Sequence, residues 1–310
     1  MSAGRIGVVL NPNALGVRRR PGMRERLQQI LGHRGEVIET RTPEDLAAAA
    51  RHFAEGGVHV VGTCGGDGTN LSTVTEMVRA YGVDHLPTFA ILRGGTVNTI
   101  AENLAIRGKP EEILGRLVAR ADAGEVPTRG QDLLVVNKMY GFLFAAAMGA
   151  RFLEAYYGGP LPGPAWAAVL AARTVASSLV TGAFARWLFA PVEMALEIDG
   201  RAVTDFVAPR LFLASTVPDV GIGMKVTWQA GKQPGRFHLI ASNLSTVAMG
   251  LQLHRVLAGQ PLAGSPHLDT LAAHARIRFA EPQTFTLDGE LFRERDVDIA
   301  VGPRLWIARP

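Results

Sequence analysis

The chain has 310 residues, 47% of them hydrophobic and 19% charged, a balance that excludes a disordered chain and is long enough for two domains of ordinary size. Its net charge of +4 suits an anionic partner, yet basic residues are nowhere interleaved with aromatics, which argues against nucleic acid. The lone cysteine, Cys64, excludes an internal disulfide and fits a reducing compartment.

The apolar run before Pro12 is too short for a signal peptide and reads as a first strand over residues 5–10, which points to a cytoplasmic protein. Asn11-Pro12-Asn13 is the loop at its end, where ligands gather in an open parallel sheet. Arg18, Arg19, Arg20, Arg24 and Arg26 then crowd the start of a helix, as a solvated basic face or as a contact for phosphate or an anionic membrane. Val37 and Ile38 fit a short strand ending near Thr40. Thr42, Pro43, Glu44 and Asp45 announce a helix, with Thr42 as N-cap, that runs to Gly56-Gly57.

Val58–Val61 is the central strand, and it leads into Gly65-Gly66-Asp67-Gly68-Thr69. Glycines there leave bare backbone that a polyphosphate can approach. Leu71, Val74, Met77 and Val78 repeat at helical spacing, so the turn sits at a helix N-terminus, where unpaired amides favour an anion. Asp67 would repel phosphate unless a divalent cation lies between them. Cys64 reads as a buried thiol behind this loop. Residues 88–92 form a fourth strand, followed by a second glycine-bearing turn, Arg93-Gly94-Gly95-Thr96-Val97-Asn98, with Thr96 as candidate N-cap of a helix through Leu104. Strand, loop and helix units repeated to about residue 123 predict an α/β domain with a parallel sheet.

Beyond Val126 the texture changes. Apolar or alternating runs at 132–136, 140–148, 192–198, 207–215, 224–228, 236–241, 275–279, 283–287, 297–301 and 304–308 predict a mostly antiparallel, β-rich domain. Residues 165–189 read as one helix whose Trp166, Val169, Leu170, Val175, Leu179, Val180, Phe184 and Leu188 face the core or line an apolar wall for a lipid. Arg173 and Arg186 interrupt that stretch, so it is not a transmembrane span. No histidine pairs with Cys or another His at ligand spacing, His267-x-Asp269 reads as loop structure, and no Gly-x-Ser-x-Gly elbow is present. Asp288 follows Phe285-Thr286-Leu287 and opens an Asp-Gly turn with Glu290 beyond it.

Gly65–Thr69 resembles the nucleotide-binding signature of the diacylglycerol kinase and sphingosine kinase family of lipid kinases, and the related motif of NAD kinases. Asn11-Pro12-Asn13, Gly95-Thr96-Val97-Asn98 and Leu287-Asp288-Gly289-Glu290 resemble three further motifs of the lipid kinases, in order across nearly the whole chain. The resemblance implies an α/β nucleotide-binding domain over 1–124 and a β-rich lipid-substrate domain over 125–310, whose final strands return toward the first. It implies ATP and Mg²⁺ as cofactors, bound in an interdomain cleft, and a lipid alcohol of diacylglycerol or sphingosine type as acceptor. Asn11, Thr40, Gly65, Gly66, Asp67, Gly68, Thr69, Gly95, Thr96 and Asn98 would contact the nucleotide, with Asp67 also on the metal. Asp288 would be the general base and Glu290 its support. Peripheral membrane contact is implied, and homodimer formation stays open. Three positions depart from the pattern: Ser72 stands where the family carries Glu, Thr99 where diacylglycerol kinases carry Asp, and Arg93-Gly94 where Pro-x is usual. An NAD kinase-like phosphotransferase and a non-catalytic nucleotide or lipid sensor are the alternatives.

Overall fold

Ile6 to Leu10 are all buried in the first strand, and the side chain missing at Gly7 makes room for Phe53, whose ring would lie 2.7 Å from a Cβ placed there. A computed structural model describes residues 4–159, 163–264 and 267–310. The chain divides into two units, one running to Gln131 and taking in Pro303–Pro310, the other Asp132–Gly302.

The first unit contains β1 (Arg5–Leu10), α1 (Leu15–Arg18), α2 (Met23–Leu31), β2 (Gly35–Glu39), α3 (Pro43–Glu55), β3 (Val58–Cys64), α4 (Asp67–Tyr81), β4 (Thr88–Ile91), α5 (Thr99–Asn103) and α6 (Pro110–Asp122). Its strands run parallel in the order β4-β3-β1-β2. Thr42 caps α3 in a full capping box with Asp45, whose carboxylate accepts the Thr42 amide in return. Val9, Leu46, Ala50, Phe53, Val58, Val61 and Met77 form a core cluster between strands and helices. In the arginine-rich segment, Arg26 pairs with Glu111 of α6 at 3.1 Å, while Arg18, Arg19 and Arg24 stay exposed.

Next come β5 (Thr128–Val136), β6 (Met139–Gly141), β7 (Leu143–Ala147), α7 (Met148–Tyr157), α8 (Pro164–Leu179), α9 (Ala183–Leu188), β8 (Met194–Ile198), β9 (Arg201–Val203), β10 (Leu211–Ser215), β11 (Phe237–Ser242), α10 (Thr246–Gly250), α11 (Leu253–Leu257), β12 (His267–Ala272), β13 (His274–Leu287) and β14 (Glu290–Ala308). Among them β12-β11-β10-β7-β13 pair antiparallel, with β8 on the far half of β13. The tail of β14 belongs to the first unit, where Ile307 pairs in parallel with Phe89 of β4. The fold is thus a parallel α/β region followed by an antiparallel, β-rich one.

Several expectations need correction. Residues 224–228 are loop and turn, not strand: the Thr227 hydroxyl donates to the Val217 carbonyl at 2.8 Å and the Trp228 indole to Asp269 at 3.1 Å, so the Val-Thr-Trp alternation serves a loop. The runs 275–279 and 283–287 belong to one strand, β13, and 297–301 and 304–308 to another, β14. His267-x-Asp269 lies in β12, not in a loop. The single helix expected over 165–189 breaks where Thr181 takes φ +49°, and the Ser177 hydroxyl accepts the Ala185 amide to start α9. Val169, Leu179 and Val180 are exposed, not core.

Asp269 explains why β12 escaped a reading by periodicity, since this acid is held inside by polar partners. Although burial works to raise its carboxyl, hydrogen bonds from His238, Trp228 and Gln229 bring it below the ordinary carboxylate range. The Gln229 amide donates to His238 Nδ1, so Nε2 carries the proton that is donated to Asp269 at 2.7 Å. A depressed carboxyl stabilises the fold above its unfolded value, and that contribution disappears as pH falls through the folded value. Asp269→Asn should therefore lose about 2 kcal/mol at pH 7. It should also flatten the fall in melting temperature below about pH 4. Thermal melts of both proteins across that range check both expectations.

Candidate nucleotide and acceptor sites

In the first unit, the motif residues meet at the C-terminal ends of the parallel strands. Thr40 follows β2 and its amide donates to the Leu10 carbonyl at 2.9 Å. Asn11 follows β1; its amide donates to Cys64 at the end of β3, and its Nδ2 donates to Thr69 Oγ1 at 2.9 Å. The glycine turn and the second loop press together: a Cβ on Gly94 would come within 2.6 Å of Gly65 N, and one on Gly95 within 2.5 Å of Gly66 Cα. Only glycine permits that approach. A Cβ on Gly66 would meet nothing nearer than Gly95 Cα at 3.6 Å, so this glycine borders open space. Cys64 is buried behind the turn, and loss of hydration pushes its thiol up to about 12, as a structural cysteine requires.

Helix α4 starts at Asp67 with Gly66 as N-cap and no side-chain cap, so its first-turn amides are left for an anion. Asp67 itself turns toward the second loop. Its Oδ2 accepts the Thr99 amide at 2.8 Å and its Oδ1 the Ile100 amide at 3.2 Å, which makes it the cap of α5. Burial pushes the Asp67 carboxyl up, against the pull of these amides, the Thr99 side chain and the Arg93 charge. Among the described residues, no group of three His, Cys, Asp or Glu side chains could hold a metal.

Asn98 adopts the left-handed conformation, φ +54°, and closes the second loop on itself: Oδ1 accepts the Gly95 amide and Nδ2 donates to the Gly95 carbonyl, both at 3.1 Å. The cap position of α5 is Asn98 and the capping oxygens come from Asp67, so Thr96 is not the N-cap. Arg93 ties the loop to its helix through the Ile106 carbonyl at 2.6 Å and Glu102 at 2.5 Å. Nothing in the sequence marked Arg93 or Thr99 for these tasks. Ser72 is exposed on α4.

In the second unit, Asp288 and Gly289 form a two-residue hairpin between β13 and β14, with φ +47° and +90° and Leu287 paired to Glu290. The Asp288 side chain is 4% exposed and faces inward. Its Oδ1 accepts the amides of Phe142 at 3.0 Å and Leu143 at 2.8 Å, and its own amide donates to the Leu143 carbonyl. Tyr157 of α7, which no motif announced, donates its hydroxyl to the Gly289 carbonyl at 2.8 Å. Two residues before Asp288, the buried Thr286 hydroxyl has no hydrogen-bond partner among the described residues. Glu290 is exposed, yet partial desolvation raises its carboxyl.

Residues 5–126 match the model of the diacylglycerol kinase catalytic domain. A solved diacylglycerol kinase from Bacillus anthracis str. Sterne has the same fold, with a TM-score of 0.65 at 13% identity over 99% of this chain and 97% of that one. A candidate diacylglycerol kinase from the same strain gives 0.70 at 14% identity over 99% and 96%. At these identities the likeness speaks for the fold. No curated protein matches the sequence. The diacylglycerol kinase domain supports a kinase, and kinases of this type use a nucleotide and a divalent metal.

The Asp67–Thr99 contact accounts for one departure from the lipid-kinase motif. An acid at position 99 would keep the backbone amide but set a second carboxylate against that of Asp67, whereas the threonine side chain adds a hydrogen bond. Without Mg²⁺, Thr99→Asp should destabilise the protein by about 1–2 kcal/mol. Adding Asp67→Asn should recover most of that loss, which melting curves arranged as a double-mutant cycle would measure.

Proposed function

We propose that the protein is an ATP-dependent lipid kinase that phosphorylates a hydroxyl of a diacylglycerol- or sphingosine-like lipid. The observation that carries this reading is the uncapped N-terminus of α4, set among the strand-end loops of a diacylglycerol kinase catalytic domain. Amides of Gly66 to Thr69 would cradle the nucleotide phosphates, and Gly94 and Gly95, pressed against Gly65 and Gly66, keep the two loops close enough for Thr96 to reach the same ligand. Asn11 holds the Thr69 hydroxyl in place, and Thr40 borders the strand ends. The bound nucleotide would supply the phosphoryl group, and Mg²⁺ would neutralise its charge. A single carboxylate already accepting two amides suits a metal carried on the phosphates and touched by Asp67 through water, better than a cage of side chains.

On the acceptor side, amides of Phe142 and Leu143 hold the Asp288 carboxylate in a fixed orientation, as a general base needs. Asp288 would take the proton of the lipid hydroxyl as its oxygen attacks phosphorus, while Glu290 assists from the exposed side of the turn. The matched domain favours this reading over an NAD kinase. Thr99's role as donor to Asp67 weakens the motive for a non-catalytic sensor. A cytoplasmic protein that visits membranes peripherally would meet such lipids. Among the described residues, no helix is long and apolar enough to cross a membrane.

Two measurements test the two halves. Mg-ATP should raise the melting temperature by mass action, and Gly66→Val should abolish that shift while folding normally, because the added Cβ meets only an ordinary contact. A parental response in Gly66→Val would move the site elsewhere.

Asp288→Asn can keep an oxygen toward both amides but cannot act as the base. It should retain the Mg-ATP shift and lose lipid phosphorylation by ~10² to 10⁴-fold in a radiolabelled-ATP assay on lipid extract. Turnover at the parental rate would remove Asp288 from the mechanism.

A further inference from the structure

A helix at a protein surface ordinarily turns charge to water and apolar groups to the core. Helix α8 departs from that pattern. Its buried positions are Ala167, Leu170, Thr174 and Ser178, one stripe in which two of the four side chains are hydroxyls. Those hydroxyls are satisfied within the helix, Thr174 donating to the Leu170 carbonyl at 2.9 Å and Ser178 to the Val175 carbonyl at 2.7 Å. The stripe lies on α10, close enough that a Cβ on Gly250 would meet Ser178 Oγ at 1.8 Å. The outward face carries Val169, Ala172, Ala176, Leu179 and Val180, and Arg173 is the only charged residue in the helix. Val180 is 75% exposed, Val169 55% and Leu179 50%, with Trp187 of α9 at 42%.

The charge around this ridge is one-sided. Residues 163–190 contain no Asp or Glu, nor do 243–259 in α10, α11 and their flanks, although the chain holds 28 acids. Their cations are Arg173, which lies 4.3 Å over the Phe184 ring, together with Arg186 and Arg255. An apolar ridge edged by arginine, bearing a tryptophan and built from helices α8 to α11 that contain no carboxylate complements an anionic lipid surface. At 16 residues, or about 24 Å, α8 suits lying in that surface rather than spanning it.

We propose that the outward face of α8, with Trp187 of α9, docks the protein on anionic phospholipid bilayers. This deepens the lipid-kinase reading, on which the choice of a lipid surface as partner rests. Arg173 and Arg186 would meet headgroup phosphates while Val169, Leu179, Val180 and Trp187 enter the acyl boundary.

Sedimentation of the full chain with phosphatidylcholine vesicles, with and without phosphatidylglycerol, tests the proposal. Val169→Glu/Val180→Glu should keep the parental melting temperature and bind mixed vesicles about tenfold more weakly or worse. Arg173→Glu/Arg186→Glu should weaken binding to mixed vesicles by at least about fivefold for each arginine and leave binding to neutral vesicles unchanged. Unaltered vesicle binding by the valine variant would overturn the proposal. So would a parental dimer, seen by light scattering, that the valine variant dissociates without change in vesicle binding, since the ridge would then be a self-association surface. Ridge-dependent vesicle binding by a protein that phosphorylates no lipid would refute the kinase reading and leave the docking surface standing. Turnover of a short-chain, detergent-dispersed lipid should stay parental in the valine variant.

Discussion

The carboxylate of Asp67 is the constraint on which the first unit's loop system depends. By accepting the amides of Thr99 and Ile100 it ties the turn after β3 to the helix after β4, and it supplies the cap that α5 lacks from its own sequence. The glycines follow from that tie. Two loops joined at this distance leave no room for a Cβ on Gly94 or Gly95. The same bond leaves the α4 amides without a side-chain partner, so the acid that draws the loops together does not occupy the place where phosphate would sit. Asn11 adds the strand-end loop of β1 through Thr69, and Asn98 freezes the second loop by bonding both ways to Gly95. Loops tied by these bonds would need little ordering on binding a ligand, which lowers its cost.

Asp288 shows that a turn reading and a functional reading of one tripeptide need not compete. Left-handed backbone at Asp288 and Gly289 makes the tight hairpin that any Asp-Gly pair would favour. The hairpin's position is what distinguishes it: it places the Asp288 side chain at the start of β7, where two amides receive the carboxylate. Tyr157 fixes the turn from the other side. The aspartate is therefore both part of a structural turn and a carboxylate held in one direction, and only an assay that reads folding and turnover together separates the two.

Much of the first unit was legible because its signals are local. A capping box, a glycine turn and a four-residue apolar period each lie within a few positions, and β1, α3 and α4 begin where those signals put them. What escaped depends on contacts between distant residues. Asp67 reaches Thr99 across 32 positions and Asp288 reaches Phe142 across 146, so neither gives a hint in the sequence of its amide partners. Asp269 made β12 look like loop because its polar partners, His238, Trp228 and Gln229, come from elsewhere in the chain. Val226 to Trp228 failed in the opposite sense, alternating like a strand while their side chains anchor a turn.

Helix α8 marks the limit of periodicity as an argument. Where a helix is apolar on every side, no stripe in the sequence says which face is inside, and large side chains are assigned to the core by default. Here the interior takes the small and hydroxyl residues, because α10 approaches so closely that Ser178 leaves no room for a Cβ at Gly250. The valines and Leu179 are then left outside by exclusion, not by preference for water. A surface of that kind gains when it is covered, at roughly 25 cal/mol for each Å² of apolar area removed from water. The missing carboxylates determine what can cover it: an acidic rim would repel an anionic bilayer, whereas arginines alone attract one. Close packing on one face of α8 thus leaves the apolar ridge on the other, and the arginines beside the ridge would suit an anionic lipid surface as its partner.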